Sequence, residues 1–169
     1  MELMQAMLTR RSIRKYTDAP VAGEDIQRML EAGMMAPSAG DAQPWQFVVI
    51  RDRSKLEAVG QINPYAKMAA NAPVGILVCG DLALEKFEGF WVQDCSAAVQ
   101  NILLAAHGLG LGAVWTGIYP VQDRVDGFRK LCGLPEKVIP LALLVMGYPA
   151  QETKSESRYK AKRVHSDQW

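Results

Sequence analysis

The sequence predicts an α+β fold in which a mixed, mostly antiparallel sheet is flanked by helices. Helical periodicities and short apolar runs succeed one another without the regular strand–helix–strand alternation of a parallel sheet. No internal repeat points to a solenoid or propeller. The length, 169 residues, and a composition of 49% apolar and 22% charged residues suit a single domain over residues 1–169 with its own core. The same figures exclude a disordered chain, a collagen-like repeat and a coiled coil.

The elements follow in order. A first helix is expected over Glu2–Leu8, where Leu3, Met4, Met7 and Leu8 share a face. The run Arg10-Arg11-Ser12-Ile13-Arg14-Lys15-Tyr16 is too charged to be buried as it stands. A second helix spans about Glu24–Ala36, with Ile26, Met29, Leu30, Gly33 and Met34 at helical spacing and Pro37 as its stop. A loop from Pro37 to Pro44 leads into a strand near Gln46–Ile50. Ser54–Ile62 reads as helix, and Pro73 opens an apolar strand over Val74–Cys79.

The long helix covers Trp91 to about His107. Val92, Cys95, Val99, Ile102, Leu103 and Ala106 form one apolar stripe, and Ala97, Ala98, Leu104 and Ala105 make the other side apolar too. A helix apolar nearly all round is buried on most sides, which in a chain of this size points to a neighbour from a second subunit. The next strand is Ala113–Ile118, followed by a helix over Gln122–Cys132 and a strand over Ile139–Met146. The tail from Gln151 is polar and lacks a strong helical period.

Lys plus Arg number 19 against 18 Asp plus Glu, so nothing suggests a nucleic-acid footprint. No stretch reaches the 18 or so apolar residues of a membrane span, and the first residues lack the order of a signal peptide. Cys79, Cys95 and Cys132 are odd in number and widely spaced, which fits reduced core thiols of a cytoplasmic protein rather than a disulfide framework or zinc site. His107 and His165 have no ligand partners at metal spacing, so no metal is expected. His107 suits a helix C-terminus better than a base, and Gln93 and Asp94 read as interface polar groups.

Four motifs remain. Gly108-Leu109-Gly110-Leu111-Gly112 follows a helix and precedes a strand, the reverse of a dinucleotide fingerprint, so the glycines read as helix termination. Arg10, Arg11 and Arg14 put three guanidiniums and the Ser12 hydroxyl within five residues, either a phosphate clamp or a solvated surface run. In an extended segment, Arg10, Ser12 and Arg14 share one side. Pro37-Ser38-Ala39-Gly40-Asp41-Ala42-Gln43-Pro44-Trp45 is a small-residue loop that either admits a flat ligand to its backbone or simply connects, with Trp45 as a core plug. Trp115-Thr116-Gly117 ends a strand and exposes backbone amides.

Taken in order, Arg-Arg-Ser-Ile-Arg after an opening helix, Ala-Pro-Ser-Ala-Gly-Asp-Ala-Gln-Pro-Trp-Gln-Phe after the second, Ala72-Pro73 into a strand, Gly110-Leu111-Gly112 into Trp115-Thr116-Gly117, Gly147-Tyr148-Pro149 and the ending Arg158-Tyr159, Arg163-Val164-His165 and Trp169 resemble the nitroreductase family of FMN-dependent oxidoreductases. The likeness covers essentially the whole chain. It implies an intertwined homodimer with two flavin sites at the subunit boundary and residues 150–169 as an arm on the partner. Met4, Met7, Met34 and Met35 would pack at that boundary.

The resemblance also implies roles. Arg10, Arg11, Ser12 and Arg14 would hold the FMN phosphate and ribityl chain, with Arg163 and Lys162 or Lys160 contributing from the tail. Pro37, Ser38 and Ala39 would line the isoalloxazine, in the family typically from the other subunit. Thr116 and Gly117 would offer amides near flavin N5 and O4, and Lys67 or Gln43 would reach the pyrimidine edge. Family members often carry Asn where Asp41 stands, and an ionised carboxylate cannot donate there.

The implied activity is hydride transfer from NADH or NADPH through flavin N5 to a small electron-poor acceptor, a nitroaromatic or quinone, in ping-pong order. The cofactor would carry the chemistry, so no protein residue is expected to be catalytic. The same fold also hosts reductive dehalogenation and flavin degradation, and a flavin-binding sensor without turnover is a further alternative. The short stretch between Gly80 and Trp91 predicts a small cover and an open pocket.

Overall fold

The computed structural model describes residues 1–169. Helix α1 (Leu3–Thr9) begins under Glu2, whose carboxylate accepts from the Met4 and Gln5 amides, each at 3.0 Å. Helix α2 (Gly23–Met34) stops two residues before the expected Ala36, because Ala36 precedes Pro37 and the proline ring disfavours helical backbone there. Strand β1 (Trp45–Ile50) leads through an Asp52 cap into helix α3 (Arg53–Ile62). Then come strand β2 (Val74–Asp81), helix α4 (Trp91–Gly108), strand β3 (Gly112–Gly117), helix α5 (Gln122–Cys132) and strand β4 (Val138–Gly147).

Three short 3₁₀ segments were not expected from periodicity: Ala39–Asp41, Pro64–Asn71 and Ala161–Arg163. The longest starts where Pro64 fixes its backbone and the Asn63 side chain accepts from the Tyr65 amide at 3.1 Å.

The strands lie in the order β1-β2-β4-β3, and all three pairings are antiparallel. The only parallel pairing is a single bridge from Ser12 to Ala113. Alternation along the two inner strands sends Val74, Ile76 and Val78 of β2 to one face with Ala142, Leu144 and Met146 of β4. Leu77, Cys79, Leu143 and Val145 go to the other. Helices α2 and α4 cover the first face, and α3, α5 and the Pro64–Asn71 turn cover the second.

The α2–α4 contact is tight at Gly33, where an added Cβ would lie 2.8 Å from Ile102. Eight residues of α4 are buried within this one chain, Trp91, Asp94, Cys95, Ala98, Val99, Ile102, Leu103 and Ala106. Much of its apolar surface is thus accounted for by the sheet and α2. Left uncovered are the apolar faces of α1 and the end of α2: Leu3, Met4, Met7, Leu8, Met34 and Met35 are all about half or more exposed.

The thiols are core groups. Burial pushes Cys95 up to about 12 and raises Cys79 and Cys132 as well, and the Cys95 Sγ donates to the Cys79 carbonyl.

The charged segment from Arg10 to Tyr16 is seated across the sheet by a pair of glycines. Gly112 and Gly147 face each other in the β3–β4 ladder. An added Cβ on Gly112 would lie 2.6 Å from Ile13 Cγ2, and one on Gly147 would lie 2.7 Å from Pro73 Cδ and 3.1 Å from Tyr16 Cβ. Ile13 is thereby buried, and its amide donates to the Ala113 carbonyl at 3.1 Å. The Tyr16 hydroxyl sits between the carbonyls of Ile13 and Val145, and burial raises its ionisation above the usual phenol range. Gly110, by contrast, serves helix termination as expected, with φ at +79°.

Gly112→Ala must therefore displace Ile13, and it should destabilise the fold by about 1–3 kcal/mol in urea unfolding. Gly108→Ala, at the open end of α4 with nothing within 4 Å of the new methyl, should instead stabilise by about 0.5–1 kcal/mol.

Candidate functional site

Seating Ile13 and Tyr16 turns the polar residues between and beside them outward. Ser12 and Arg14 line one shallow hollow with Arg11, Thr153, Lys154 and Arg158. Arg10 and Arg11 line a second, adjoining one with Met7, Leu8, Arg158, Tyr159 and residues 155–157. The hollows share Arg11 and Arg158. Five cations thus meet around Ser12 with no carboxylate within ion-pair distance, since the two ion pairs of the chain both belong to Arg28. Glu156 lines the second hollow without pairing. Burial, with Arg158 and Arg11 close by, lowers the Arg10 pKa. A cluster of guanidiniums without counter-ions, beside a hydroxyl, is suited to a doubly charged oxyanion such as a phosphate.

Arg11 stands apart from its neighbours. Its guanidinium donates to the carbonyls of Leu8, Arg10 and Glu156 and to Ser155 Oγ, at 2.8 to 3.2 Å. It ties the tail to the basic run and leaves Arg10, Arg14, Lys154 and Arg158 as the freer cations. The tail is further held by Gln151, whose Oε1 accepts from the Arg14 and Lys15 amides, and by Ser155 Oγ, which donates to the Leu8 carbonyl. Lys162 and Arg163 lie on an exposed turn and make no hydrogen bond to the cluster.

Strand β3 runs away from this cluster along the sheet edge. The Ala113 carbonyl faces outward, since it accepts from Ile13, and the Ile118 amide faces β4, since it donates to Leu141. By strand alternation the Trp115 and Gly117 amides also face outward, and the Thr116 amide faces β4. Thr116 is buried, with its hydroxyl donating to the Leu143 carbonyl at 2.8 Å. The Gly117 carbonyl accepts from Asn63 Nδ2 and the Arg124 guanidinium, both at 3.1 Å, which fixes the peptide at the strand end. From Ala113 to Gly117 the edge is about 14 Å long at ~3.4 Å per residue. Lys67 is exposed on the Pro64–Asn71 turn, which begins next to Gly117 at Asn63.

The small-residue loop lies elsewhere. Pro37, Ser38 and Ala39 form a shallow hollow with Phe90, Gln93, Asp94 and Ala97 of the first turns of α4 and its approach. The loop holds its shape by internal bonds: the Gln43 amide donates to Ser38 Oγ at 3.0 Å, and Gln43 Nε2 donates to Asp41 Oδ1 at 2.7 Å. Gly40, Asp41 and Gln43 all adopt left-handed backbone. Asp41 therefore acts as acceptor for Gln43 inside the loop. Asp94 Oδ1 accepts from the Ala39 amide at 2.9 Å.

The basic cluster sits at the other end of α4, where Thr9 Oγ1 meets His107 Nε2 at 2.8 Å. Gln93 and His107 are fourteen residues apart on one helix, about 20 Å at 1.5 Å per residue. One chain thus brings Arg10, Ser12, Arg14 and Gly117 onto one edge, and carries Pro37, Ser38, Ala39 and Gln43 at the far end of α4. Sequence pattern alone does not single out Lys154, Arg158 or Asp94 for the site. The tail charges follow no period, although a carboxylate in the first turn of a largely apolar helix was a visible signal.

The Thr9 hydroxyl donates to the Gln5 carbonyl, so His107 Nε2 must be the donor to Thr9. Burial, then Arg10 and Arg11, lower the His107 pKa below its ordinary 6.5. The folded state then binds fewer protons than the unfolded one, and stability should fall as pH drops from 6.5 through the lowered value. His107→Gln, which keeps a donor and cannot titrate, should flatten the slope of unfolding free energy against pH in that window.

The chain resembles several known proteins along its whole length. The chain is 52% identical over its full length to a protein of Methanothermobacter thermautotrophicus named as a candidate NADH dehydrogenase/NAD(P)H nitroreductase, covering 88% of it. A crystal structure of a protein from Bacteroides thetaiotaomicron with the same candidate name superposes with a TM-score of 0.95 at 46% identity, covering 99% of this chain and 98% of that one. A candidate nitroreductase from Desulfovibrio desulfuricans, crystallised in complex with FMN, superposes with a TM-score of 0.86 at 36% identity, over 100% of this chain and 98% of that one. The nitroreductase family model matches residues 7–67 and 60–148. With most of its length matched by that model and with full-length relatives well above a third identical, the chain belongs to the nitroreductase family.

Proposed function

We propose that the protein is an FMN-dependent oxidoreductase that takes electrons from NADH or NADPH and passes them to a small electron-poor acceptor such as a nitroaromatic or a quinone, working as a homodimer. The observation that carries this reading is the unpaired cation cluster around Ser12 at one end of the β3 edge, with the outward Gly117 amide at the other. The donor set fits FMN, and a family relative of similar size was crystallised with it. Bound FMN would supply the hydride relay at N5, in ping-pong order.

The roles of the residues follow from their placement. Arg10, Arg14, Lys154 and Arg158 neutralise the phosphate, and Ser12 donates its hydroxyl. Arg11 holds the tail so that Arg158 stays beside Arg10. The Gly117 amide, on the same outward edge as the carbonyl that Asn63 and Arg124 hold, directs a backbone donor at the polar edge of the ring, where negative charge grows on reduction. Lys67, on the turn that begins beside Gly117, or Gln43 from the loop of the partner protomer serves the pyrimidine edge.

The 20 Å gap along α4 supports a site completed by a second chain. In that reading Pro37, Ser38 and Ala39 of one protomer line the ring held by its partner. Beyond residue 156 the tail makes no hydrogen bond to the rest of its own chain, which suits an arm carrying Lys162 and Arg163 onto the partner. The segment from Leu82 to Phe90 forms no regular element, and its short span leaves the ring face open to acceptors of varied shape.

Three measurements test the proposal. FMN-loaded protein should lose its visible flavin absorbance on anaerobic addition of NADH or NADPH and recover it with a quinone or nitroaromatic. Bound flavin that neither pyridine nucleotide bleaches would instead indicate a flavin-holding protein without turnover. Arg14→Ala should weaken FMN binding about 10- to 150-fold, the loss of one charge-assisted contact worth about 1.5–3 kcal/mol, and an unchanged dissociation constant would remove Arg14 from the site. Sedimentation at micromolar concentration should give twice the chain mass.

A further inference from the structure

Asp94 is a buried carboxylate without a cation. It is 6% exposed, and no Lys, Arg or His lies within ion-pair distance of it. Burying an unpaired carboxylate is costly, so its position needs a reason. Part of the cost is offset by its place in the first turn of α4, at the positive end of the helix dipole. The rest of its environment is the hollow formed with Pro37, Ser38 and Ala39, where its Oδ1 takes the Ala39 amide at 2.9 Å.

That bond differs in kind from the others in the loop. Gln43 to Ser38 and Gln43 to Asp41 join the loop to itself and set its shape. Only two hydrogen bonds join residues 38–43 to side chains of the scaffold: Asp94 to the Ala39 amide, and Lys86 Nζ to the Gly40 carbonyl. Lys86 comes from the irregular segment before α4 and is exposed, whereas Asp94 projects from a helix seated in the core. Phe90, Gln93, Asp94 and Ala97 fall at i, i+3, i+4 and i+7, so the face that carries Asp94 is the floor on which the loop rests.

We propose that Asp94 is a positioning residue that fixes Pro37, Ser38 and Ala39 at the height at which they meet the flat face of the ring. The inference rests on the flavin reading above and adds to it the group that sets the wall. The carboxylate acts through the Ala39 amide and does not touch the ring or the acceptor. A one-ångström shift of that wall alters how an acceptor stacks, while the phosphate grip at the far end of the helix is unaffected.

Three variants separate the possibilities. Asp94→Asn keeps an acceptor and removes the charge. Asp94→Ala removes both. Ala39→Pro removes the amide donor and leaves the carboxylate in place, where the extended backbone of Ser38, with φ at −140° and ψ at 153°, tolerates a following proline. Each is measured for amide exchange of residues 38, 40 and 41 without flavin, for FMN affinity and visible circular dichroism of the bound flavin, and for KM against kcat with a quinone acceptor.

Positioning through the amide predicts faster exchange, altered flavin dichroism and an acceptor KM raised several-fold in Asp94→Ala and Ala39→Pro, with near-native values in Asp94→Asn. The double variant should be no worse than either single one. Equal losses in Asp94→Asn and Asp94→Ala, or a shifted flavin potential in Asp94→Asn with KM unchanged, would show that the charge acts directly and overturn the assignment. Native dichroism and KM in a folded Asp94→Ala would overturn it too. Failure of the wild-type protein to bind FMN would remove the flavin reading itself, and the role of Asp94 with it.

Discussion

The close approach of the Arg10–Tyr16 segment to the sheet is the constraint on which the site depends. A segment so rich in guanidinium groups cannot enter a core, yet it must be rigid if it is to present those groups to a ligand. The glycine pair in the β3–β4 ladder resolves the conflict. With no side chain at Gly112 or Gly147, Ile13 and Tyr16 reach the backbone, and every charged neighbour is forced outward. The Ser12–Ala113 bridge, the Tyr16 hydroxyl and the Gln151 carboxamide then hold the segment in place.

Charge is distributed unevenly over this framework. No buried side-chain polar atom lacks a partner, so the interior is satisfied. The imbalance is confined to one patch, where Arg10, Arg14, Lys154 and Arg158 repel one another without a carboxylate in reach. Such repulsion is tolerable at a surface and is relieved by an anion, so the patch trades a little stability for affinity. Asp94 has the opposite arrangement at the other end of α4, a lone negative group offset by an amide and a helix terminus.

Much of this was legible in the sequence, for reasons that differ by element. Helix α5 has the bounds its local signals predict, because its apolar period and the left-handed Gly133 at its end are short-range features. The basic run and the small-residue loop were legible as chemistry, since guanidinium spacing and side-chain size are written locally. The exceptional role of Arg11 was not. Arg10 and Arg11 are alike in sequence, and only tertiary contacts with Ser155 and Glu156 turn one of them toward the tail. Likewise the Thr116 and Gly117 amides look equivalent until strand pairing sends one to β4 and leaves the other at the edge. Asp94 read as an interface group because nothing near it in sequence marks the loop it holds, fifty-five residues away.

The place of β4 in the sheet also governs the order in which the protein can be assembled during synthesis. It is the last of the four strands along the chain, yet it lies between β2 and β3, which do not touch each other. Until it leaves the ribosome, β3 has no strand to pair with and Gly112 has no Gly147 opposite it. The N-terminal segment, made first, has only half its seat, and the tail cations that join it emerge later still. The basic patch is therefore among the last parts of the molecule to form, and an anion can be gripped there only after the chain has been translated through Arg158.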